Sequence, residues 1–325
     1  MKKIKAPVFY LVCVLVVLLI FEIAIYMQAL KEEDPILQVS LIVYGSDASR
    51  WENLKQGAAL AADDMNAEVT LITMSGEDDS AEQIALIQRE VANGADALLI
   101  AAADSEAIKD YLEKSPVKVP YAFVESGIGD DGKMLTSADN IAMAESLIKT
   151  IDDNEKDWIK AAVIVDHDCR DSVKERLDTV LAPDADFAEN VVLWERNEQE
   201  IDKKAQFFLQ RQLTEEAVDV VIALDNSSME EIIDAAVNLN KDIKIYGIAN
   251  SSKSAYYLDN RLIRSLVYQD EFSIGYIGLT NLLRSNFANR YGHAGSLDKE
   301  IYFKVLDHNN MYDEKNQRLL FPHVR

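Results

Sequence analysis

The sequence predicts an α/β protein made of two doubly wound parallel-sheet lobes in tandem, preceded by one apolar N-terminal span. Three observations predict it. Short apolar runs rich in Val, Ile, Leu and Ala alternate with amphipathic stretches from Leu37 onward, the pattern that parallel strands joined by helices require. After Asn140 the alternation starts again. The 325 residues, 49% of them hydrophobic, exceed what one compact core usually holds.

Taken in order, Leu37 to Tyr44 alternates little and suits a strand buried on both faces. Arg50 to Met65 follows as a helix with Leu54, Ala58, Ala61 and Ala62 on one face, then Val69 to Met74 as a strand. Ser80 is placed to cap a helix whose apolar stripe is Ile84, Leu86, Ile87 and Val91, and Asn93-Gly94 ends it. Ala97 to Ala101 is the third strand, and Ser105 is placed to cap a helix to about Lys114. Val119 to Val124 is the fourth strand, ending on Glu125 and Ser126. In open α/β sheets ligands bind outside the carboxyl ends of the strands, so this acid and hydroxyl are candidate ligand contacts.

The second lobe reads as helix Ile141 to Thr150, strand Ala161 to Val165, helix Ser172 to Leu181 and strand Val191 to Trp194. It continues with helix Glu200 to Leu213, strand Val218 to Ala223, helix Ser228 to Leu239 and strand Ile243 to Ile248. Ser265 to Gln269 is a further strand, Glu271 to Asn286 a helix, and Ile301 to Leu306 a late strand.

Val8 to Met27 carries only Glu22 as a charge, and about twenty apolar residues cross a hydrocarbon core of about 30 Å. Lys2, Lys3 and Lys5 precede it and Glu32, Glu33 and Asp34 follow, which places the N-terminus in the cytoplasm and the rest outside. The run is long for a signal peptide and lacks a clear small-x-small site, so an uncleaved anchor is expected. Cys13 lies within it, leaving Cys169 alone outside and excluding a disulfide scaffold. The net charge of −23 argues against nucleic acid and anionic membrane surfaces as partners.

Gly127, Gly132 and Lys133 satisfy the spacing of a phosphate-binding loop, but Met134 stands where a magnesium-holding hydroxyl is needed and Asp130 and Asp131 repel phosphate. No cofactor is expected. The cluster Asp166-His167-Asp168-Cys169 cannot converge on one ion from adjacent positions, so no metal is expected. No nucleophile elbow or H-E-x-x-H helix is present. Asn226 and Asn250 each open an Asn-Ser-Ser triplet just after a predicted strand, where small polar residues serve turns or ligands.

Other residues carry a resemblance. Leu54-Lys55-Gln56-Gly57-Ala58, Asn93-Gly94-Ala95-Asp96-Ala97-Leu98-Leu99-Ile100, Val119-Pro120, Thr136-Ser137-Ala138-Asp139-Asn140, Lys174-Glu175-Arg176, Asn226 and Gly247 occur in the order and spacing of one family. Over about Val39 to Leu306 the chain resembles the type I periplasmic binding proteins, the ribose- and galactose-binding family. The resemblance implies a hinge of three crossovers and a ligand held between the lobes. With the apolar N-terminal run, the expected division is 1–30 as cytoplasmic stub and anchor, 31–36 as linker, 37–138 with 270–300 as the first lobe, and 139–269 with 301–325 as the second. The resemblance implies a stacking aromatic at Trp51, an acidic contact at Glu125 beside Ser126, a polar hinge contact at Gln269, an amide at Asn226 and a basic residue at Lys174. Asn140, Asp225 and Asn250 complete the expected ligand-binding set. Two departures bear on the ligand: Ala249 stands where sugar binders of the family have aspartate, and Arg50 replaces a second aromatic beside Trp51.

The expected function is therefore a membrane-anchored, extracytoplasmic binding protein for a small, sugar-like solute. It is expected to close its lobes on the ligand and present it to an ABC permease or a membrane sensor. The alternative is a sensory accessory of a two-component kinase with no transport role. From another class, a hydrolase would use Glu125 and Asp225, but two such carboxylates equally serve as hydrogen-bond acceptors for a sugar. No catalytic residue is assigned.

Overall fold

In the computed structural model the described residues are 10, 14–22, 35–76, 79–129, 134–155, 159–165, 170–182, 190–195, 205–291, 297 and 299–320. The chain divides into two units, Met1–Ile36 and Leu37–Arg325. In the first, residues 14–22 are helical and their apolar side chains are exposed. Among the described residues no helix is long and apolar enough to cross a membrane, and much of Val8 to Met27 lies outside them.

The second unit holds two sheets. The first is ordered β2-β1-β3-β4-β5, from β1 (Leu37–Val43), β2 (Ala67–Thr73), β3 (Ala97–Ile100), β4 (Tyr121–Val124) and β5 (Leu135–Thr136), with every pairing parallel. The second is ordered β11-β10-β9-β8-β6-β7, from β6 (Ala161–Val165), β7 (Val191–Glu195), β8 (Val220–Ala223), β9 (Lys244–Ile248), β10 (Ile263–Gln269) and β11 (Phe303–Leu306). Its pairings are parallel except β10 with β11, which is antiparallel. Central strands β3 and β8 are buried at every residue, as continuous apolar runs covered by helices must be, whereas edge strands β2 and β7 are half-buried.

Most expected elements form within two residues of their predicted ends. Two caps fall one residue earlier than expected: Asp79 and Asp104, not Ser80 and Ser105, accept from the backbone N–H of Glu82 and Ala107. A carboxylate is the stronger acceptor and adds charge favourable to the helix N-terminus. With Asp104 as the cap, the Ser105 hydroxyl makes a different contact, described below. The helix expected from Glu200 is described from Ala205 to Glu215, residues 200–204 lying outside the described set. Four elements have no counterpart in the sequence reading: β5 and the helices Ser252–Asp259, Ala288–Tyr291 and Glu314–Leu320. All four are short, so local pattern defines them weakly.

The chain passes between the sheets three times: after β5 into helix Asn140–Asn154, after β10 into helix Glu271–Asn286, and from that helix region back to β11. Helix Glu271–Asn286 belongs to the first lobe because it meets helix Glu52–Asp64 backbone to backbone. A Cβ on Gly57 would lie 1.9 Å from the Phe272 carbonyl oxygen, and one on Gly275 would lie 2.0 Å from that of Leu54. Only glycine permits that approach. The two lobes are not separately cored: one apolar cluster runs from the first sheet through Ala138, Ile301 and helix Asn140–Asn154 to one face of the second sheet. A second cluster fills the other face of that sheet. Ala138 and Ile301 carry this core through connections that are otherwise polar, such as Thr136-Ser137 and Gln269-Asp270.

Candidate ligand-binding site

The carboxyl ends of both sheets carry a buried polar cluster, and local chain geometry explains each member. At the end of β1, Tyr44 turns inward, and its carbonyl accepts a hydrogen bond of 3.0 Å from the indole N–H of Trp51. The two rings meet edge to face with centroids 4.9 Å apart, a favoured aromatic geometry. The Arg50 guanidinium lies 4.0 Å from the Trp51 centroid and 4.8 Å from that of Tyr44, a cation held by two π faces. Arg50 also donates to the Tyr44 hydroxyl at 3.0 Å, and that hydroxyl donates to Glu125 Oε2 at 2.8 Å.

Glu125 follows β4 with φ +65°, a left-handed conformation that a non-glycine residue adopts at a cost, typically at functional sites. Two backbone bonds hold it there: its N–H donates to Thr136 O at 3.1 Å, and the next N–H, of Ser126, donates to Val124 O at 2.7 Å. Both Glu125 and Ser126 are buried.

The second sheet contributes the opposite wall. Arg170 pairs with Asp225 and lies over the Tyr44 ring at 4.3 Å. Arg176 donates from Nε to Asn140 Oδ1 and from Nη1 to Leu224 O, each at 2.9 Å, and its Nη2 lies 3.7 Å from Glu125 Oε1. The Ser105 hydroxyl accepts from the Asp171 N–H at 2.9 Å. These contacts link residues at the strand ends of the first sheet to residues that follow strands of the second. Asp225 caps helix Asn226–Leu239 through the Ser228 N–H. Asn226 and Asn250 exchange two hydrogen bonds, of 3.1 and 2.8 Å, and Gln269 is buried at the end of β10.

Electrostatics follow from burial and charge. Burial penalises the Asp225 carboxylate, but Arg170 and the Ser228 bonds more than offset it and hold the pKa below the ordinary value. Burial lowers the Arg176 pKa against the pull of Glu125. Burial also opposes the charge on Arg50, yet Tyr44, Glu125 and Glu271 outweigh it and raise its pKa. Burial, with Glu125 and Asp270 nearby, pushes Glu271 up to about 7 against the pull of Arg50 and Asn250.

Eight of the nine residues expected from sequence, namely Trp51, Glu125, Ser126, Asn140, Asp225, Asn226, Asn250 and Gln269, are buried at or beside these strand ends. Lys174 is not: it is exposed on helix Asp171–Val180. Two positions along a helix turn a side chain through about 200°, so Arg176 faces the cluster when Lys174 faces out. Trp51 is fully buried beneath Arg50, so the guanidinium covers a ring face expected to stack on a ligand. Tyr44, Arg170 and Glu271 were missed. Arg170 adjoins the acid and histidine cluster at 166–169, which lies outside the described residues, as do Gly132 and Lys133 of the phosphate-loop pattern. Glu271 directly follows the hinge pair Gln269-Asp270, the signal that might have found it. Among the described residues no group of His, Cys, Asp or Glu is disposed to hold a metal.

The site is polar beyond its own internal bonds. Among the described residues, Arg50 Nη1, Ser126 Oγ, Ser172 Oγ, Arg176 Nη2, Asn250 Nδ2 and both Glu271 carboxylate oxygens are buried without a hydrogen-bond partner. Each such group costs about 1–3 kcal/mol, and native proteins carry few of them. Most of these atoms belong to the polar cluster at the carboxyl ends of the sheets, where hydroxyl-rich groups could satisfy them.

No curated protein matches the sequence. Among solved structures the fold is similar to an ABC transporter solute-binding protein from Agrobacterium vitis bound to alpha-D-tagatopyranose, at TM-score 0.72 and 18% identity over 87% of this chain and 99% of that one. It is also similar to a carbohydrate transporter solute-binding protein from Agrobacterium radiobacter in complex with D-arabinose, at 0.71 and 17% over 89% and 100%. A sugar transporter from Clostridium phytofermentans aligns at 0.68 and 20% over 84% and 100%. The family model described as "Periplasmic binding protein domain" matches residues 39–285, and with two parallel sheets joined by three crossings this chain belongs to the periplasmic binding protein family, a family of binding domains and not of catalysts.

Proposed function

We propose that the chain is an extracytoplasmic solute-binding protein that closes its lobes, 37–138 with 270–300 and 139–269 with 301–325, on a small, neutral, sugar-like ligand. The supporting observation is the set of buried, unpartnered polar atoms gathered where both sheets end. The sugars held by the two Agrobacterium proteins give the reading its ligand class. A catalytic use of Glu125 and Asp225 finds no support, because Asp225 is held ionised by Arg170 and cannot serve as the proton donor.

Thermal unfolding of the full-length chain in detergent against D-tagatose, D-arabinose and D-fucose tests this. A sugar at about 100 times its Kd adds about 2.7 kcal/mol of stability, and a panel that shifts nothing sinks the proposal. Glu125→Ala is expected to weaken the sugar that binds by roughly 10- to 100-fold, since charge-assisted hydrogen bonds are worth about 1.5–3 kcal/mol each.

The apolar run Val8 to Met27, with lysines before it and acids after it, supports a tether to the membrane by an N-terminal helix. That tether would keep the closed form near an ABC permease or a membrane sensor, the two partners able to read it. Full-length chain is expected to stay with the membrane fraction through a carbonate wash; release into the soluble fraction would remove the tether from the proposal.

A further inference from the structure

We propose that Glu271 is a specificity-determining residue of this site, which accepts hydrogen bonds from two hydroxyls of a neutral polyol while Arg50 and Asn250 donate to the same hydroxyl oxygens. The inference rests on the reading of the strand ends as a ligand site and gives one residue of that site a specific role. Three observations carry it. Glu271 is 2% exposed, and neither carboxylate oxygen makes a well-formed hydrogen bond, although Asn250 lies close enough to favour its charge. Arg50 Nη1 and Asn250 Nδ2, which sit close enough to stabilise its charge, are themselves buried and unpartnered. The residue opens helix Glu271–Asn286 directly after Gln269-Asp270, at a crossing between the lobes, so it is placed where closure brings both walls to a ligand.

Charge decides what that ligand presents. Arg50, Arg170 and Arg176 face Glu125, Asp225 and Glu271 in the cluster, three against three, and Arg170 already pairs with Asp225. An ammonium group beside three guanidinium groups would be repelled, and a carboxylate would meet Glu125 and Glu271. A hydroxyl donates to the carboxylate and accepts from the guanidinium or amide at once, adding no charge. Glu271 faces Arg50, Asn250, Glu125, Asp270 and Tyr268. Only Arg50 and Asn250 favour its ionised form, and they do not prevent the rise to about 7. An unpartnered acid of this kind costs the fold stability, which a binding role explains and a packing role does not.

The test compares wild type with Glu271→Gln and Glu271→Ala, as full-length chain in detergent. A carboxyl group raised above its unfolded value destabilises the fold increasingly as pH rises from the ordinary carboxylate range through about 7. At pH 8, without sugar, Glu271→Gln is expected to melt at least about 3 °C above wild type, the gap closing by pH 5. With whichever of D-tagatose, D-arabinose and D-fucose binds wild type, both variants are expected to lose at least tenfold in affinity by calorimetry. D-galactosamine is expected to bind no tighter than D-galactose. Higher stability with lower affinity in one variant supports the proposal. Sugar binding within threefold of wild type in Glu271→Gln, or tighter binding of the amino sugar, overturns it while the cleft reading stands. A wild type that binds none of the sugars overturns both.

Discussion

Trp51→Ala is expected to lower the unfolding free energy by about 3–5 kcal/mol, the range for deleting a fully buried Trp. The indole is completely buried, donates to the Tyr44 carbonyl, and meets the Tyr44 ring edge to face. Its removal leaves a cavity and deletes its hydrogen bond to the Tyr44 carbonyl, and Arg50 loses one of the two rings that hold it. Trp51→Phe keeps most of the packing and loses the hydrogen bond, so it should cost less, about 1–2 kcal/mol. Guanidinium denaturation with equal m-values measures both. A loss under about 1.5 kcal/mol in Trp51→Ala would mean that the indole is a ligand platform after all, as the sequence alone suggests, and not a foundation for Arg50.

Arg176→Ala is expected to reduce sugar affinity at least about 100-fold, equivalent to about 2.7 kcal/mol. Arg176 joins three parts of the site: the hinge residue Asn140, the β8 end through Leu224, and Glu125 on the opposite sheet. Without it, closure leaves Glu125 buried beside the Tyr44 hydroxyl with no cation at that oxygen, and removing one member of a buried pair is strongly unfavourable. The variant therefore favours separated lobes, read as a larger radius of gyration in scattering. Arg176→Lys should rescue little, because one ammonium cannot serve three divergent acceptors as a planar fork does. Binding within threefold of wild type in either variant would show that Asn140 and Glu125 are held by other means.

The alternation of strand and helix was legible because buried parallel strands admit little but apolar side chains, and because it ran without interruption on both sides of Asn140. Short elements escaped for the opposite reason: β5 has two residues, and helix Ser252–Asp259 has eight, too few for a period to show. The serine caps were misplaced by one residue because a serine and an aspartate stood side by side before each helix, and the backbone takes the better acceptor.

By itself the sequence determined two α/β lobes, the crossing near Asn140, and the acid at the end of β4, since each depends on residue types within one short stretch. Tertiary structure decided which side chains share the site. Arg170 and Arg176 reach Tyr44 and Glu125 over separations of more than fifty residues, and the helix phase that turns Arg176 inward turns Lys174 out. It alone decided that Trp51 lies under a guanidinium and that Glu271 is an unpartnered acid. The gathering of Arg170, Arg176 and Glu271 around Tyr44, Glu125 and Arg50 depends on contacts between residues far apart in the chain, which no local pattern encodes.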